Sequence, residues 1–493
     1  MSTDSSSSSG SRALVEPQTL KGYRDILPEE LIFQTAVIEK IGTVLERYGF
    51  VPLDTPCVEY LTTLVGTGGE EADKDLIRFK SKEGENVGLR YDLTVPFARL
   101  LAQYPEQLRL PFRRYQLAPV FRNDKPGEGR YRQFRQFDFD AAGSESAAVD
   151  AEIVAVMADI FAAVGLANTT ERKRFTIHVN NRKLLEAMLV ASGITEADVQ
   201  RHALRVVDKL SKIGVDNVRR ELGAGRTDAS GDTIRGVGLA SGSIDILLSL
   251  IAVTGTSRAE VVKAMTAALP ADSELSAAAL AEMRVLDEDL TALGVSEVDA
   301  VFDPSLARGL AYYTGPIFEA YLAEAPEMGA VIGGGRYNNL VDRFLEKSIP
   351  ATGASFGLDR FTAALRKLKS IDSATTLTQA LIISFPGVPA SYLLRVARLL
   401  REANVRTEVY FGDAKAKMKD QLSLANMRQV PVAVIVGPDE MNASQVSVKD
   451  LRAGLEARTG VVDREAFRAA GKTAQVTVGL DQLVSTVKAL LGA

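Results

Sequence analysis

A polar loop between two strand-like segments is the feature that most constrains the fold of this chain. Residues 113–121 and 133–141 are strand-like, and the loop at 123–129 contains Asn, Asp, Pro and Gly, which are typical of turns. Antiparallel strands can be joined by a short turn, whereas parallel strands need a crossover of a dozen or more residues. The sequence therefore predicts an antiparallel sheet with a hairpin, rather than a βαβ arrangement.

The order of helical and extended patterns differs between the part of the chain before residue 370 and the part after it. Apolar residues follow helical spacing at 28–47 and 149–164, and a further strand is predicted at 86–91. Helical patterns dominate the interval from Asn180 to Leu293, at 184–192, 196–212, 243–252, 259–268 and 277–293. After residue 370, predicted strands at 379–384, 406–410 and 431–436 alternate with helices at 392–402 and 414–427. This rhythm indicates a small C-terminal α/β domain.

These patterns predict a domain order. A chain of 493 residues has room for roughly three domains of about 150 residues each. Residues 1–20 are Ser-rich and predicted to be disordered. Residues 21–370 are predicted to form one α+β domain, interrupted by a mainly helical insertion at about 195–295, and residues 378–493 a C-terminal α/β domain.

Composition excludes several classes of protein. No apolar run approaches the roughly 20 residues that a membrane-spanning helix needs. Cys57 is the only cysteine, so no internal disulfide is possible, which fits a reducing, cytoplasmic environment. With only His178 and His202 beside it, a structural zinc site is not expected. The net charge of −5 excludes a uniformly basic surface, though not a local one.

A local basic segment does occur between residues 113 and 135. Its cationic residues are Arg113, Arg114, Arg122, Lys125, Arg130, Arg132 and Arg135. A basic run is usually a solvated surface. Here Phe and Tyr residues alternate with the arginines, and this interleaving favours a binding site, with a nucleic acid as one possible ligand.

Two glycine-rich motifs flank a predicted strand at 317–322. The first is Arg-Gly-Leu-Ala-Tyr-Tyr at 308–313 and the second is Gly-Gly-Gly-Arg-Tyr at 333–337, and both are predicted to be turns. Glycine lets the backbone approach a ligand closely, arginine binds phosphate or carboxylate, and tyrosine supplies an aromatic wall. Either motif alone is compatible with a hairpin turn that exposes its arginine. Together they predict a pocket for a small, partly aromatic zwitterion beside a phosphate.

Five motifs occur in an order known from one family. They are LRYDLTVPF at 89–97, FRNDKPGEGRYRQFRQFDFD at 121–140, ARGLAYYTGPIFEA at 307–320, GGGRYNNLV at 333–341 and GASFGLDRF at 353–361. From about Lys21 to Leu451 the chain resembles histidyl-tRNA synthetases, which are class II aminoacyl-tRNA synthetases. The resemblance implies a class II catalytic core, in which helices flank an antiparallel sheet, with a helical insertion and a C-terminal α/β anticodon-binding domain.

The same resemblance implies an activity. Such an enzyme activates L-histidine with ATP, accompanied by Mg²⁺, to histidyl-adenylate and transfers the histidyl group to the 3′ end of tRNA(His). Pro56 lies in the motif that builds the dimer interface of class II enzymes, so a homodimer is expected. The expected enzyme has no zinc and does not associate with a membrane. In the C-terminal domain, Lys415, Lys417, Lys419 and Arg428 are candidates for contacts to RNA phosphates.

Site residues carry over from the matched motifs. Two arginines are implied to be catalytic: Arg122 bridges the histidine carboxylate and the α-phosphate, and Arg308 faces that phosphate from the other side. The residues implied to bind ATP are Arg122, Asp124, Arg130, Phe134, which stacks on adenine, and Arg360, which holds the γ-phosphate. The residues implied to bind histidine are Asp92 and Thr94 at the α-amino group, and Gln136, Asp140, Arg308, Tyr312, Tyr313 and Tyr337.

The chain departs from the family pattern at two positions, and two other families are alternatives. Ala311 replaces a usual aspartate, and Asp124 stands where many class II enzymes have glutamate. One alternative is the catalytically silent, synthetase-like regulatory subunit of ATP phosphoribosyltransferase, which lacks the anticodon domain and tends to lose the catalytic arginines. This chain keeps both. The other is a class II synthetase for threonine, proline or glycine, against which the two tyrosine-containing motifs argue.

Overall fold

The computed structural model describes eight stretches of the chain: residues 14–66, 74–127, 130–228, 231–307, 313–371, 374–413, 415–456 and 474–492. The chain divides into two compact units, one formed by residues 1–25 and 37–371 and the other by residues 26–36 and 372–493. Most of the predicted disordered lead-in, at 1–13, lies outside the described residues, and residues 14–20 have no regular secondary structure.

A large sheet organises the first unit. The strands of this unit, in chain order, are β1 (Val51–Pro52), β2 (Val58–Tyr60), β3 (Arg78–Lys80), β4 (Asn86–Leu89), β5 (Phe112–Phe121), β6 (Gln133–Ala142), β7 (Phe175–Asn181), β8 (Gly225–Thr227), β9 (Thr233–Arg235), β10 (Ala300–Phe302), β11 (Pro316–Leu322), β12 (Ala330–Tyr337) and β13 (Ala351–Gly357). Eight of them form the central sheet in the order β1-β5-β6-β13-β12-β11-β7-β10, whereas β2-β4-β3 and β8-β9 form small sheets.

The central sheet is antiparallel except at its two margins. Strands β5 and β6 pair along their whole length as the predicted hairpin, with Arg114 opposite Asp140. Strands β13, β12, β11 and β7 continue the antiparallel pairing, and only β1 with β5 and β10 with β7 run parallel. The predicted antiparallel sheet with a hairpin is therefore confirmed.

Helices flank this sheet and fill the interval between β7 and β10. They are α1 (Pro28–Arg47), which begins in the second unit, α2 (Leu61–Leu64), α3 (Thr94–Gln103), α4 (Ala147–Ala163), α5 (Arg182–Ala191), α6 (Ala197–Val207), α7 (Leu210–Leu222), α8 (Ser241–Ile251), α9 (Arg258–Ala268), α10 (Glu274–Ala292) and α11 (Leu358–Lys367). The helical patterns of that interval form helices, except that the one helix predicted at 196–212 is divided between α6 and α7, and the β8–β9 hairpin was not predicted. Its strands of three residues each are too short to show an alternating pattern.

The two faces of the central sheet differ. Helix α4 is largely apolar, apart from Asp150, Glu152 and Asp159, and packs against β7, β11, β12 and β13. The face of the sheet that it covers carries Phe137, Phe139, Phe318 and Phe356, all at most 3% exposed. On that face Phe137 and Phe356 stack, with ring centroids 5.3 Å apart. Because side chains alternate along a strand, the residues between these phenylalanines lie on the opposite face.

The prediction of a turn at 333–337 is wrong, because this segment forms the second half of β12. A Cβ atom on Gly334 would lie 2.2 Å from the carbonyl oxygen of Gly353, and one on Gly335 would lie 2.7 Å from that of Pro316. Glycine is needed here because neighbouring strands approach closely, not because the chain reverses.

The second unit has a smaller mixed sheet, as the alternating pattern predicted. Its strands are β14 (Ala380–Ile383), β15 (Thr407–Val409), β16 (Val432–Ile435), β17 (Gln445–Asp450) and β18 (Gln475–Gly479), in the order β15-β14-β16-β17-β18. Its helices are α12 (Ala390–Glu402), α13 (Met418–Met427), α14 (Pro438–Asn442), α15 (Leu451–Glu456) and α16 (Leu483–Leu491). Apolar clusters lie on both faces of the sheet.

Within the described residues, none of the helices combines the length and the apolar composition that crossing a membrane requires.

Candidate active site

The face of the central sheet away from α4 combines polar side chains with glycines. In one cross-strand row Gln116, Asp138, Ser355, Gly333, Glu319 and His178 are successive neighbours from β5 to β7. Directly opposed residues project to the same face of a sheet. Glycines of β12 and β13 therefore lie between a polar group on β5 and β6 and another on β7 and β11.

Gly333 keeps space open in the middle of this face. A Cβ atom placed on Gly333 would meet nothing closer than the carbonyl oxygen of Phe318 at 3.8 Å, so packing within the described protein does not require glycine there. Gly353 is different, because its Cβ would lie 2.2 Å from Oδ1 of Asp140. The glycines thus form a low floor beside Asp140, at which a ligand can approach the backbone.

Two carboxylates and one arginine form a buried charged group beside this floor. Asp138 and Asp140 are 1% and 3% exposed, and Arg114 is fully buried. The Nη2 atom of Arg114 lies 2.7 Å from Oδ2 of Asp140 and 3.8 Å from Oδ2 of Asp138, and its guanidinium stacks on Phe97 at 4.6 Å. Tyr337 donates a 2.6 Å hydrogen bond to Oδ1 of Asp140. Sequence-predicted Asp140 and Tyr337 are therefore in direct contact.

Hydrogen bonds join Asp138 to Gln136 on its own strand, to strand β13 and to helix α3. Its Oδ1 atom accepts hydrogen bonds from Nε2 of Gln136 at 2.9 Å and from Oγ of Ser355 at 2.5 Å. Thr94, the first residue of α3, donates to Oδ2 at 3.5 Å. Two predicted histidine-binding residues, Thr94 and Gln136, thus meet at an aspartate that the motif comparison did not select.

Burial is the main influence on the protonation of these carboxylates. It raises the pKa of Asp140 to about 6, while the positive charge of Arg114 opposes the increase and the negative charge of Asp138 adds to it. The pKa of Asp138 is also raised by burial, against the opposing effects of Arg114, Ser355 and Gln136. Burial and the Asp140 carboxylate together raise the pKa of Tyr337, which stays a hydrogen-bond donor.

Asp92 adds a carboxylate from the segment before α3. Its Oδ1 atom accepts a hydrogen bond of 3.1 Å from the backbone N–H of Val95, in the first turn of the helix. Desolvation raises the pKa of Asp92 to about 6, although the Val95 hydrogen bond and the charges of Arg122 and Arg114 oppose it. Asp92 is therefore an anionic site near neutral pH, suited to an ammonium group.

Arg122 joins the predicted nucleotide side to the predicted amino-acid side. It follows β5 and donates from Nε to the carbonyl oxygen of Tyr91 at 3.1 Å. Its guanidinium carbon lies 5.2 Å from the centre of the Phe134 ring, and its Nη2 atom lies 3.5 Å from Oε1 of Gln136. The half-buried Arg122 thus lies between an aromatic ring and a polar amide, where a planar cation can contact two ligands.

Tyr313 also approaches this side of the sheet. It is half-buried and packs against an apolar cluster that includes Tyr337 and Phe97. Its ring atom Cδ1 would lie 3.0 Å from a Cβ atom on Gly335. The absence of a side chain at Gly335 therefore lets the Tyr313 ring lie against the sheet.

The remaining predicted ATP residues lie nearer the solvent. Arg130 and Arg360 are exposed, and half-buried Asp124 accepts a hydrogen bond at its backbone oxygen from Nε of Arg132. Arg360 is the third residue of α11. Its neighbour Asp359 accepts hydrogen bonds from the backbone N–H of Arg135 and from Nη2 of Arg24, so the start of this helix is tied to β6.

Arg308, Ala311 and Tyr312 lie outside the described residues, but the segment leading to them is anchored. Asn180 donates from Nδ2 to the carbonyl oxygens of Pro304 and Leu306, at 3.1 and 2.9 Å. Nδ1 of His178 lies 2.7 Å from Oδ2 of Asp303. Both anchoring residues are on β7 and project to the polar face.

The structure corrects the interpretation of two arginine motifs. Arg113 and Arg114 of the predicted basic segment point in opposite directions, and Arg113 pairs with Glu152 at 2.5 Å while Arg114 is in the buried charged group. Arg336 of the second glycine motif contacts both carboxylate oxygens of Asp150, on the face covered by α4. Neither Arg114 nor Arg336 is available at the surface, because each is enclosed between strands or between strand and helix.

Sequence reasoning did not select Asp138 or Ser355, and it named Arg114 only as one cation of the basic segment. A signal for Asp138 was present, because residues two apart on a strand project to the same face and Asp140 had been selected. No local signal distinguishes Arg114 from Arg113, since only the cross-strand register places Arg114 opposite Asp140.

Comparison with known proteins agrees with this architecture. The model of the family described as histidyl-tRNA synthetase matches residues 22–361, and that of an anticodon binding domain matches residues 379–490. A protein named histidine–tRNA ligase from Caulobacter vibrioides is 38% identical, over 97% of each chain.

Two solved structures are also similar. The histidyl-tRNA synthetase from Nostoc sp. PCC 7120 has a TM-score of 0.78 at 28% identity, covering 97% of this chain and all of the other. A Bacillus halodurans protein described as an ATP phosphoribosyltransferase regulatory subunit/histidyl-tRNA synthetase has a TM-score of 0.68 at 22% identity, over 86% of this chain and all of the other, and shows the fold alone. Since a family model matches more than half of the chain, the protein belongs to the histidyl-tRNA synthetase family.

Proposed function

We propose that this protein is a histidine–tRNA ligase, which activates L-histidine with ATP and transfers the histidyl group to tRNA(His). The observation that carries the proposal is the buried contact of Asp140 with Tyr337 beside the glycine floor, together with Arg122 and Phe134 on the neighbouring strands. A carboxylate that is buried next to a phenol suits the N–H of an imidazole ring, and a cation over an aromatic ring suits a nucleotide phosphate and base.

The first half-reaction brings two anions together. The histidine carboxylate attacks the α-phosphate of ATP, forming an acyl-phosphate anhydride bond while the bond to pyrophosphate breaks. Fixed positive charge and positioning are therefore needed more than a proton shuttle. In this proposal Arg122 contacts both the carboxylate and the α-phosphate, and Arg308 stabilises charge on the α-phosphate from the other side.

The other site residues position the two substrates. Asp92 and Thr94 hold the α-ammonium group, whereas Gln136, Asp140 and Tyr337 surround the imidazole together with Tyr312 and Tyr313. On the ATP side, the aromatic ring of Phe134 stacks on adenine. Asp124, Arg130 and Arg360 contact the nucleotide. Mg²⁺ enters with ATP as part of the substrate, because this cation prefers phosphate oxygens and water.

A homodimer in the cytoplasm completes the proposal. The segment around Pro56 is held in place by buried Arg90, which donates to the backbone oxygens of Thr55, Pro56 and Pro119. This arrangement supports a defined surface at the segment that builds the dimer interface in class II enzymes. Size-exclusion chromatography with light scattering tests it, and a monomer that remains fully active would contradict it.

The tRNA anticodon is proposed to bind the second unit. Lys415, Lys417 and Lys419 are exposed, close in sequence to the exposed ring of Phe411, and lysines beside an aromatic side chain suit RNA phosphates and bases. Arg428 is a weaker candidate, because it pairs with Glu408 at 3.0 Å.

Replacement of Lys415, Lys417 and Lys419 by Ala tests the anticodon proposal. We expect the KM for tRNA to rise about tenfold, with a weaker salt dependence, because fewer counterions are released on binding. Adenylate formation without tRNA should be unchanged. An Arg398→Ala variant, which changes another exposed cation of the same unit, is the control. Equal effects of both changes would contradict the assignment.

The regulatory-subunit alternative is disfavoured by the match of residues 379–490 to an anticodon binding domain. ATP–pyrophosphate exchange measured with each of the twenty amino acids separates the two. We expect exchange with L-histidine and Mg²⁺ only. Exchange with a different amino acid would point to another class II synthetase, and a folded protein with no exchange would support the silent subunit.

A further inference from the structure

The buried charged group contains two residues to which neither the sequence motifs nor the proposed substrate contacts assign a role. We propose that Arg114 and Asp138 are positioning residues for recognition of the histidine ring: Arg114 keeps the neighbouring carboxylates ionised, and Asp138 orients the amide of Gln136. This inference rests on the proposed function, because it concerns how the proposed amino-acid pocket selects its ligand.

The first step concerns the orientation of Gln136. An amide side chain carries a donor at one end and an acceptor at the other, and only its neighbours decide which end points where. Asp138 accepts the Nε2 hydrogen bond of Gln136 at 2.9 Å, and an ionised carboxylate can only accept. Oε1 therefore turns the other way, toward Nη2 of Arg122 at 3.5 Å. The charge of Asp138 thus presents Gln136 to the pocket as an acceptor.

The second step concerns Arg114. Its side chain is fully buried, and within the described part of the chain Nε and Nη1 have no hydrogen-bond acceptor. Its Nη2 donates to the carbonyl oxygen of Leu93 at 3.2 Å. By contrast, buried Arg336 donates to Asp150 and to the backbone oxygens of both Ser144 and Ser146. A buried arginine with incomplete hydrogen bonding is a costly structural element. Its position between two carboxylates therefore favours an electrostatic role over a purely structural one.

The third step concerns the ionisation of Asp140. Oδ1 accepts from Tyr337, whereas Oδ2, which is 2.7 Å from Nη2 of Arg114, is not aligned with any described donor as a hydrogen bond. The carboxyl group of Asp140 accepts a hydrogen bond from a ring N–H most strongly while it is ionised. Burial opposes ionisation and raises the pKa of Asp140, whereas the charge of Arg114 favours ionisation.

Charged and titratable groups approach this centre from every element packed around it. Strand β5 provides Arg114 and, at its end, Arg122, strand β6 provides Asp138 and Asp140, and strand β12 provides Tyr337. The segment before α3 provides Asp92, which is affected by Asp138, Arg122 and Arg114. Removing Arg114 and removing Asp138 should therefore change the ionisation of Asp92 and Asp140 in opposite directions.

This opposition provides the test. The kcat/KM for L-histidine is measured between pH 5 and 8.5 in histidine-dependent ATP–pyrophosphate exchange, for wild type and two variants, each matched in size to the residue replaced. For Arg114→Met we expect the acidic limb of the profile to move up by about one pH unit, the low end for a lost opposite charge at this distance. For Asp138→Asn we expect it to move down, because a like charge is removed.

Binding should change along with the pH profile. In both variants the KM for L-histidine should rise about tenfold or more, while the KM for ATP should stay within about twofold, because phosphate contacts are untouched. Arg114→Lys keeps the charge and should return the acidic limb to the wild-type position. Arg113→Met is the matched control, since Arg113 is next to Arg114 in β5 but pairs with Glu152 on the other face. It should change neither quantity.

The outcomes are separable. If the Arg114→Met and Asp138→Asn proteins melt like wild type and keep its acidic limb, the inference is wrong and the two residues are structural. If Arg114→Met does not fold, the other two variants test the inference. It is then supported if the acidic limb moves down in Asp138→Asn and stays at the wild-type position in Arg114→Lys, and it is wrong otherwise. If the wild-type protein shows no exchange with histidine, the proposed function is wrong. If the wild-type protein exchanges normally but the acidic limbs of the variants do not move, only this inference is wrong.

Discussion

In both sheets of this protein the side chains alternate between the two faces, but one sheet buries charged side chains and the other buries apolar ones. In the first unit, one face of the central sheet buries Arg114, Asp138, Asp140 and Glu319, all less than 9% exposed. In the described part of the second unit, the buried polar residues are Gln34, Gln421 and Ser447, and no charged side chain is buried. Strands β14 and β16 are apolar on both faces.

The difference separates a face that carries the proposed site from one that holds a domain together. Apolar side chains stabilise a sheet without directional requirements. Buried charges must be paired and hydrogen-bonded, so a protein that buries several on one face limits its own stability there. The charged face of the first unit coincides with the open glycine floor, which indicates that this cost is tolerated for binding.

Even within the first unit, buried charge has two uses. Arg336 joins β12 to α4 through Asp150, with further hydrogen bonds to the backbone oxygens of Ser144 and Ser146. Arg114, on the other face, has incomplete hydrogen bonding. The complete hydrogen-bond set of Arg336 marks a structural ion pair, whereas the incomplete set of Arg114 fits the positioning role proposed for it.

The largest effect, on the rate of adenylate formation, is expected from replacing Arg308. This replacement tests whether the first unit carries the activation chemistry. Because charge redistributes at the α-phosphate in the transition state, Arg308→Ala should slow adenylate formation by roughly a hundredfold or more. Histidine and ATP affinities should change much less. Single-turnover kinetics measure the rate, and Arg308→Lys should recover little, since a point charge does not reproduce the planar guanidinium. A variant with normal melting and near-normal turnover would overturn the assignment.

An intermediate effect on stability should distinguish the two sheets. Arg336→Met leaves Asp150 buried without its partner, which we expect to cost about 3–5 kcal/mol. Ile382→Val in the apolar sheet should cost only about 0.5–1.5 kcal/mol, since one methylene group is lost. Hydrogen–deuterium exchange read by mass spectrometry locates the loss, expected in β12 and β13 for the first variant and in β14 for the second. Equal losses in both sheets would contradict the comparison.

The smallest effect is expected from pH, through Asp92. The pKa of Asp92 in the folded protein is about 6, above its ordinary value of 3.8, so folding favours the protonated form. The associated stability is present below about pH 4 and is lost as the pH rises through 6. Asp92→Asn should therefore be more stable than wild type at pH 7.5, by up to about 3 kcal/mol, with no gain at pH 4.

Urea denaturation at the two pH values measures this difference. A Glu16→Gln variant, which changes an exposed carboxylate, is the control and should show no gain at either pH. The same Asp92→Asn protein should bind L-histidine more weakly, because the proposed partner of the α-ammonium group is lost. A gain in stability that is equal at both pH values would show that ionisation of Asp92 is not the cause.

Elements with a clear local period were predictable. The helix at 28–47, the β5–β6 hairpin and the strand–helix alternation after residue 370 all formed as expected, because each is specified by spacing and turn residues within a short window. Most candidate site residues that the structure describes also come from compact motifs, and Thr94, Gln136, Asp140, Tyr337 and Arg122 lie together around the polar face.

What sequence alone determined is therefore local: periodicity, turns, and motifs whose residues keep their order along the chain. Tertiary structure decided the rest. The glycines at 333–335 have a local preference for turns, yet they form a strand because the backbones of β11 and β13 approach them. Arg113 and Arg114 are the same residue type in the same strand, but register places one beside Glu152 and the other between two buried aspartates. Which arginine pairs with a structural carboxylate and which enters the pocket depends on strands distant in sequence, because electrostatic pairing requires proximity in space.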